Sequence, residues 1–166
     1  EGKSRRDATR CLKRFLAPQV TEAILASPSG EAALQPARAD VAVLFCDLRE
    51  FTAFAELSEP EDVVRLLRDY HAVAGEHVFE LGGTLERFAG DGMMIFLNDP
   101  MPVDHPAHDA VAMAVTMQHR FEDVRKGWRR LGIELGMGIG IAQGFATIGA
   151  IGYEGRRDYG AIGVVA

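Results

Sequence analysis

Two acids in this chain fall where acids are chemically useful. Asp47 ends the apolar run Val41-Ala42-Val43-Leu44-Phe45-Cys46, whose strand-forming residues lead out of a core and deliver a carboxylate to the edge of a sheet. Asp91 lies in Ala89-Gly90-Asp91-Gly92, a tight turn between strand-like segments at 84–88 and 93–97, with glycines that allow positive φ beside it. If the two segments neighbour the first strand, the hairpin tip carries Asp91 to Asp47. Two carboxylates a few ångströms apart repel each other unless a cation lies between them, so the expected resident is a divalent metal. Taken singly, each acid has a plainer role, Asp47 as a helix N-cap and Asp91 as a turn acid.

The elements that must position these acids can be read around them. Residues 1–38 form a helical connector in this reading. A stripe of Cys11, Leu12, Phe15 and Leu16 is flanked by Arg5, Arg6, Arg10, Lys13 and Arg14, which is either a solvated helix face or a link from an upstream domain. A second short helix runs from Pro18 through Leu25. The domain proper occupies 39–166. After the first strand, Ser58 and Glu61 form a capping box for a helix to Leu81 whose core face is Val63, Leu66, Leu67, Tyr70, Val73, Ala74, His77 and Val78, ended by Gly82-Gly83. Asp104 and Pro106 open a further helix with Val111, Ala114, Val115, Gln118, Phe121 and Val124 inward. Residues 133–142 alternate bulky apolar side chains with glycines, so that one face packs and the other lets a backbone or ligand approach. Gln143-Gly144 is expected to turn, with 145–151 returning antiparallel. The order β-α-β-β-α-β plus a strand gives an α+β, ferredoxin-like sandwich, with a mixed sheet and both helices on one face. The other face is free for a dimer partner or substrate.

Composition narrows the function. The 166 residues are 48% hydrophobic and carry a net charge of −6, which suits one globular domain and opposes binding to nucleic acid. No run is long enough to span a bilayer. Two cysteines, Cys11 and Cys46, read as reduced thiols, so the segment is expected to be cytoplasmic, with membrane tethering of the full-length protein left open. His105, His108 and Asp109 could be a metal cluster but read as capping or surface residues, and His71, His77 and His119 as packing or surface. The methionines 93, 94, 113, 117 and 137 read as core filler, and Trp128 as a cap over the core.

Four segments in order, Asp47-Leu48-Arg49-Glu50-Phe51-Thr52, residues 83–92, Gly138-Ile139-Gly140-Ile141 and Asp158-Tyr159-Gly160-Ala161-Ile162-Gly163, resemble the signatures of class III nucleotidyl cyclases, the adenylate and guanylate cyclase catalytic domain. The resemblance covers about residues 40–166. It implies conversion of a nucleoside triphosphate to a 3′,5′-cyclic nucleotide, ATP to cyclic AMP foremost, in a signalling protein with an upstream sensor. It implies a homodimer with composite sites and two Mg²⁺ or Mn²⁺ ions per site, bridged by Asp47 and Asp91, with the Leu48 carbonyl as a further ligand. Hard oxygen donors favour those ions over zinc. Backbone amides of Arg49, Glu50, Phe51 and Thr52 would cradle the β- and γ-phosphates. Where such adenylate cyclases carry a base-reading lysine and an aspartate or threonine, this sequence has Arg87 and Gly160, so base identity stays open. The family's ribose-orienting asparagine and transition-state arginine fall after residue 163; a chain ending at Ala166 is expected not to close a competent site. The rival readings are a catalytically degenerate nucleotide-sensing or dimerisation module and a diguanylate cyclase-like domain. The latter wants a Gly-Gly-acid-acid-Phe turn where this chain has Ala89-Gly90-Asp91-Gly92.

Overall fold

In the computed structural model, which describes residues 17–28, 31–154 and 156–166, the middle of the molecule is one long strand. β1 (Ala37–Arg49) is flanked by β3 (Gly92–Leu97) and β4 (Gly136–Tyr153), with β2 (Thr84–Ala89) and β5 (Arg156–Ile162) outside them in the order β2-β3-β1-β4-β5. The ferredoxin-like order of elements stands. The sheet is not mixed, however: all four pairings are antiparallel. Each helical crossover joins strands that are not neighbours, so no parallel pair forms.

The helices are α1 (Pro18–Ala26), α2 (Phe51–Leu57), α3 (Pro60–Glu80) and α4 (Pro106–Arg129). Leu66, Tyr70, Ala74 and Val78 of α3 are buried, at the expected spacing. The capping box does not form. Pro60, with its φ already helical, takes the first turn, Glu59 is the N-cap without a side-chain bond, and Ser58 closes α2. At the other end of α3 the Gly83 amide reaches back 2.8 Å to the Val78 carbonyl and Gly82 takes φ +77°, as the Gly-Gly pair leads one to expect. α4 starts at Pro106 after His105, not at Asp104. Its inward face is Ala110, Met113, Met117, Phe121 and Trp128, while Val111 and Val115 are exposed. Met113, Met117, Phe121 and Trp128 thus pack as expected and the two valines do not; the methionines fill the stripe because their unbranched side chains fit the gap between sheet and helix.

The turn expected at Gln143-Gly144 is absent. Both residues continue β4, opposite Ala42 and Val41. Thirteen residues of β1 offer a pairing edge from Arg49 back to Ala37, so β4 runs along all of it, and the returning strand is β5 instead.

Two apolar clusters result. The larger lies between sheet and helices and holds Leu44, Cys46 and Leu48 of β1 with Tyr70, Met113, Met117 and Phe121. The second covers part of the opposite face, where Val41, Val43, Met94, Phe96, Ala146 and Ile148 meet Tyr159, Ala161 and Val165. That face is thus free only towards Phe45 and beyond. The hydroxyl of Tyr159 donates to Asp99 Oδ1 and fastens β5 across it. α1 is docked as well: Val20 and Gln19 are buried, and the Gln19 amide donates to the Gly83 carbonyl at the start of β2. The basic stripe at 5–16, with Cys11, lies outside the described residues.

Phe121 stands edge-on to both Tyr70 and Trp128, with ring centroids 6.1 and 5.5 Å away. Phe121→Ala is expected to lower unfolding free energy by about 3–5 kcal/mol in a urea titration, the usual cost of deleting a buried aromatic ring.

Candidate functional site

The pairing of β1 with β3 stops at Cys46 and Met93, but β1 goes on to Arg49 with β4 as its only ladder partner. Asp47 therefore lies within a strand and not at its end, two residues earlier than the chain's exit from the sheet. Extending the β1–β3 register by two places sets Leu48 opposite Asp91, in the two-residue turn between β2 and β3. There the amide of Leu48 donates to Asp91 Oδ2 at 3.1 Å. A side-chain oxygen takes the place of the missing ladder carbonyl, and the hairpin tip is pinned next to Asp47. Gly90 makes the turn with φ +62°.

Asp47 and Arg49 point, with Phe45, to the face away from the helices. Opposite them in β4 stand Gly138, Gly136 and Gly140. The glycine face has a direct use: a Cβ on Gly138 would overlap Asp47 Oδ1 and lie 2.6 Å from Arg49 Nε. Asp47 and Arg49 are mostly exposed and only 3.9 Å apart at closest approach. The Asp47 carboxylate thus retains free acceptor positions. A concavity of about 510 Å³ opens here, lined by Asp47, Arg49, Arg87, Phe45, Met94 and Gly138 among others. Asp91 does not line it, since Oδ2 is turned to the Leu48 amide.

Beneath the site, Cys46 is buried, and burial with the charge of Asp47 pushes its thiol up to about 12, so it stays protonated. The buried Tyr70 hydroxyl has no hydrogen-bond partner among the described residues; burial first, then Cys46, Asp91 and Asp47, raise its pKa.

Of the residues singled out for phosphate contact, Glu50 reverses the chain at φ +66°, the left-handed region, and precedes α2 without a side-chain cap. Phe51 packs against the core and Thr52 is exposed in the first turn of α2. Arg87 projects from β2 with its side chain 67% exposed, 3.4 Å from Glu86 Oε1. Gly160 is buried in β5 opposite Gly149, and the side chain of Glu86 lies over it.

The structure brings in two residues that the motifs did not. Glu86, an acid beside Arg87, signalled itself only by that adjacency. His71 of α3 stacks on Phe88, with centroids 4.1 Å apart, and its Nε2 is 3.1 Å from the Gly90 carbonyl. It buttresses the Asp91 turn from behind. No sequence motif marks such a contact between a helix and a hairpin tip. His105 and His108 form no metal centre: among the described residues no group of three or more His, Cys, Asp or Glu is arranged to hold an ion.

Burial lowers the pKa of His71, while the Gly90 carbonyl and Asp91 oppose that shift. A histidine whose folded pKa is below its unfolded one contributes stability above the unfolded pKa that is lost as pH falls through the folded pKa. Between pH 7.5 and 5.5 the wild type is therefore expected to lose stability that His71→Gln retains, measured as the difference between their urea midpoints across that range.

Residues 34–163 match the family model described as the adenylate and guanylate cyclase catalytic domain. An adenylate cyclase of Anabaena cylindrica is 33% identical over 123 residues, 73% of this chain and 24% of the relative. Among solved structures, the adenylyl cyclase CyaB from P. aeruginosa superimposes with a TM-score of 0.76 at 34% identity, covering 80% of this chain and 69% of that one. The guanylyl cyclase Cya2 does so with 0.74 at 36%, covering 78% and 66%. The chain spans about a quarter of the length of the curated relative. The order of the strands thus belongs to a recognised architecture, and the chain is a member of the adenylate and guanylate cyclase catalytic domain family.

Proposed function

We propose that this domain is a nucleotidyl cyclase that converts ATP to 3′,5′-cyclic AMP and pyrophosphate within a signalling protein. The observation that carries the reading is the Leu48 amide bond to Asp91 Oδ2, which holds a second carboxylate one residue along β1 from Asp47, next to the glycine-backed concavity that Asp47 lines. In the reaction the ribose 3′ oxygen attacks the α-phosphorus in line. A new O3′–P bond forms, the bond to the β-phosphate oxygen breaks, pyrophosphate leaves, and the hydroxyl proton passes to solvent.

The residues suit two divalent ions, Mg²⁺ or Mn²⁺. Asp47 has unused acceptor positions, the second oxygen of Asp91 is not bonded to Leu48, and the Leu48 carbonyl adds a hard oxygen. Such ions, when bound, acidify the attacking hydroxyl and offset charge on the leaving group. Asp47 and Asp91 would hold them, and the amides from Arg49 to Thr52, reoriented by Glu50, would receive the β- and γ-phosphates. In the composite site of the homodimer, one subunit supplies Asp47 and Asp91 and the other presents the planar donor fork of Arg87 to the base. The domain works as a homodimer, in which the half-exposed Phe45, on the sheet face away from the helices, meets the partner. An upstream sensor acts through the N-terminal segment, whose α1 touches the start of β2. Similarity to both adenylyl and guanylyl cyclases leaves the family silent on the base; the adenylate cyclase relative and the donor at 87 favour ATP.

The test is to incubate full-length protein with Mn²⁺ and each of the four nucleoside triphosphates and identify any cyclic product by mass. Cyclic AMP is expected to dominate. Asp47→Asn is expected to cut turnover by about 10²-fold or more at unchanged thermal stability, and Asp91→Asn to cut it as far with a lowered melting temperature, because the Leu48 amide then bonds a neutral acceptor. Gly138→Ala, which dislodges the Asp47 carboxylate without altering its charge, is expected to raise the Mn²⁺ concentration needed for half-maximal rate. Nucleotide binding without any product would instead identify a sensing module.

A further inference from the structure

Residue 160 has no side chain, and a carboxyl group from the opposite edge of the sheet occupies the room. A Cβ on Gly160 would lie 2.9 Å from Glu86 Oε1 and 3.3 Å from its Cδ. β2 and β5 are the two outermost strands, so only the curl of the sheet brings these residues together. The register of β2 against β3 shifts between Leu85 and Arg87, which makes Glu86 the extra residue of a bulge. Bulges re-aim side chains, and this one directs Glu86 over β5 beside Arg87. The Glu86 side chain is only 8% exposed. Oε1 is 3.4 Å from Arg87 Nη1, while Oε2 is buried without a hydrogen-bond partner among the described residues. Burial raises its pKa, partly countered by Arg87 and by the Ala161 amide. A buried carboxyl with an unmet oxygen calls for an explanation beyond packing.

We propose that Glu86 is a base-reading residue: its carboxyl, seated over Gly160 beside Arg87, accepts the exocyclic 6-amino group of adenine. This rests on the cyclase reading above. The edge of adenine sets an amine donor next to a ring-nitrogen acceptor, and an adjacent carboxyl and guanidinium offer the complementary acceptor and donor. Gly160 can supply neither. Glu86 therefore restores from β2 the acceptor that β5 lacks, and the strand that ends at the Asp91 turn carries both halves of the base reader.

The test compares ATP with purine riboside triphosphate, which is ATP without the 6-amino group, using full-length protein and Mn²⁺. The wild type is expected to favour ATP by about tenfold or more in kcat/KM, since a site built to bond an amine rejects the analogue lacking it. Glu86→Ala should bring that ratio close to one, chiefly by raising KM for ATP. Gly160→Ala should do the same with Glu86 intact, because the added Cβ displaces its carboxyl. Glu86→Ala combined with Gly160→Thr, which returns an acceptor to β5, should recover the preference. A role in packing alone would lower thermal stability and slow both substrates equally, leaving the ratio where it was. That result, or a wild type indifferent to the amine, overturns the inference and leaves the cyclase reading standing. A wild type that forms no cyclic product from any nucleotide overturns the cyclase reading and this inference with it.

Discussion

A backbone amide in the central strand holds a carboxylate from a hairpin tip 43 residues away, and the arrangement of the site depends on that bond. The Leu48 amide faces the side where β3 has already ended, so it needs an acceptor that is not a ladder carbonyl. An amide hydrogen bond to a charged group is worth roughly 1.5–3 kcal/mol, more than a neutral pair, and it orients the carboxylate as well as stabilising it. The rest of the fold prepares this contact. Helix α3 ends in Gly82-Gly83 so that β2 can start beside Gln19 and Met113, and the β2–β3 hairpin is then just long enough to reach Leu48. His71 supports the turn from the helix layer.

The glycines of β4 are the other half of the arrangement. Because β4 pairs with β1 along its whole length, Gly136, Gly138 and Gly140 meet Arg49, Asp47 and Phe45 one for one. A side chain at 138 would push Asp47 and Arg49 off the sheet. Asp47 and Arg49 thus stand over bare backbone, backed by a buried and protonated Cys46. This is a poor place for two carboxylates alone and a suitable one for carboxylates that share cations.

Much of this was legible in the chain. Asp47, Asp91 and the alternating glycines announced themselves because an acid closing an apolar run, a tight turn and a bare sheet face each leave a mark at fixed spacing, although β1 runs two residues past Asp47. α3 was readable from its 3.6-residue repeat and its Gly-Gly stop. The errors have local causes. Gln143-Gly144 has turn chemistry, but thirteen residues of paired strand outweigh a two-residue preference. On α4, Met113, Met117, Phe121 and Trp128 are inward as expected, whereas Val111 and Val115 are exposed, because only packing against the sheet decides which apolar residues of the repeat are covered. A sheet taken for mixed proves antiparallel because pairing depends on which strands become neighbours, which no window of sequence contains. Glu86 and His71 were missed for a related reason: a bulge and a helix-to-hairpin contact exist only once the sheet has curled.

The central claim is that Asp47 and Asp91 form one cation site. The most direct measurement is the anomalous scattering of Mn²⁺ in crystals of the protein grown with the ion and a non-reactive ATP analogue. The account predicts anomalous peaks within direct coordination distance, about 2.0–2.3 Å, of both the Asp47 and the Asp91 carboxylates. Manganese bound to the triphosphate but touching neither carboxylate would contradict it.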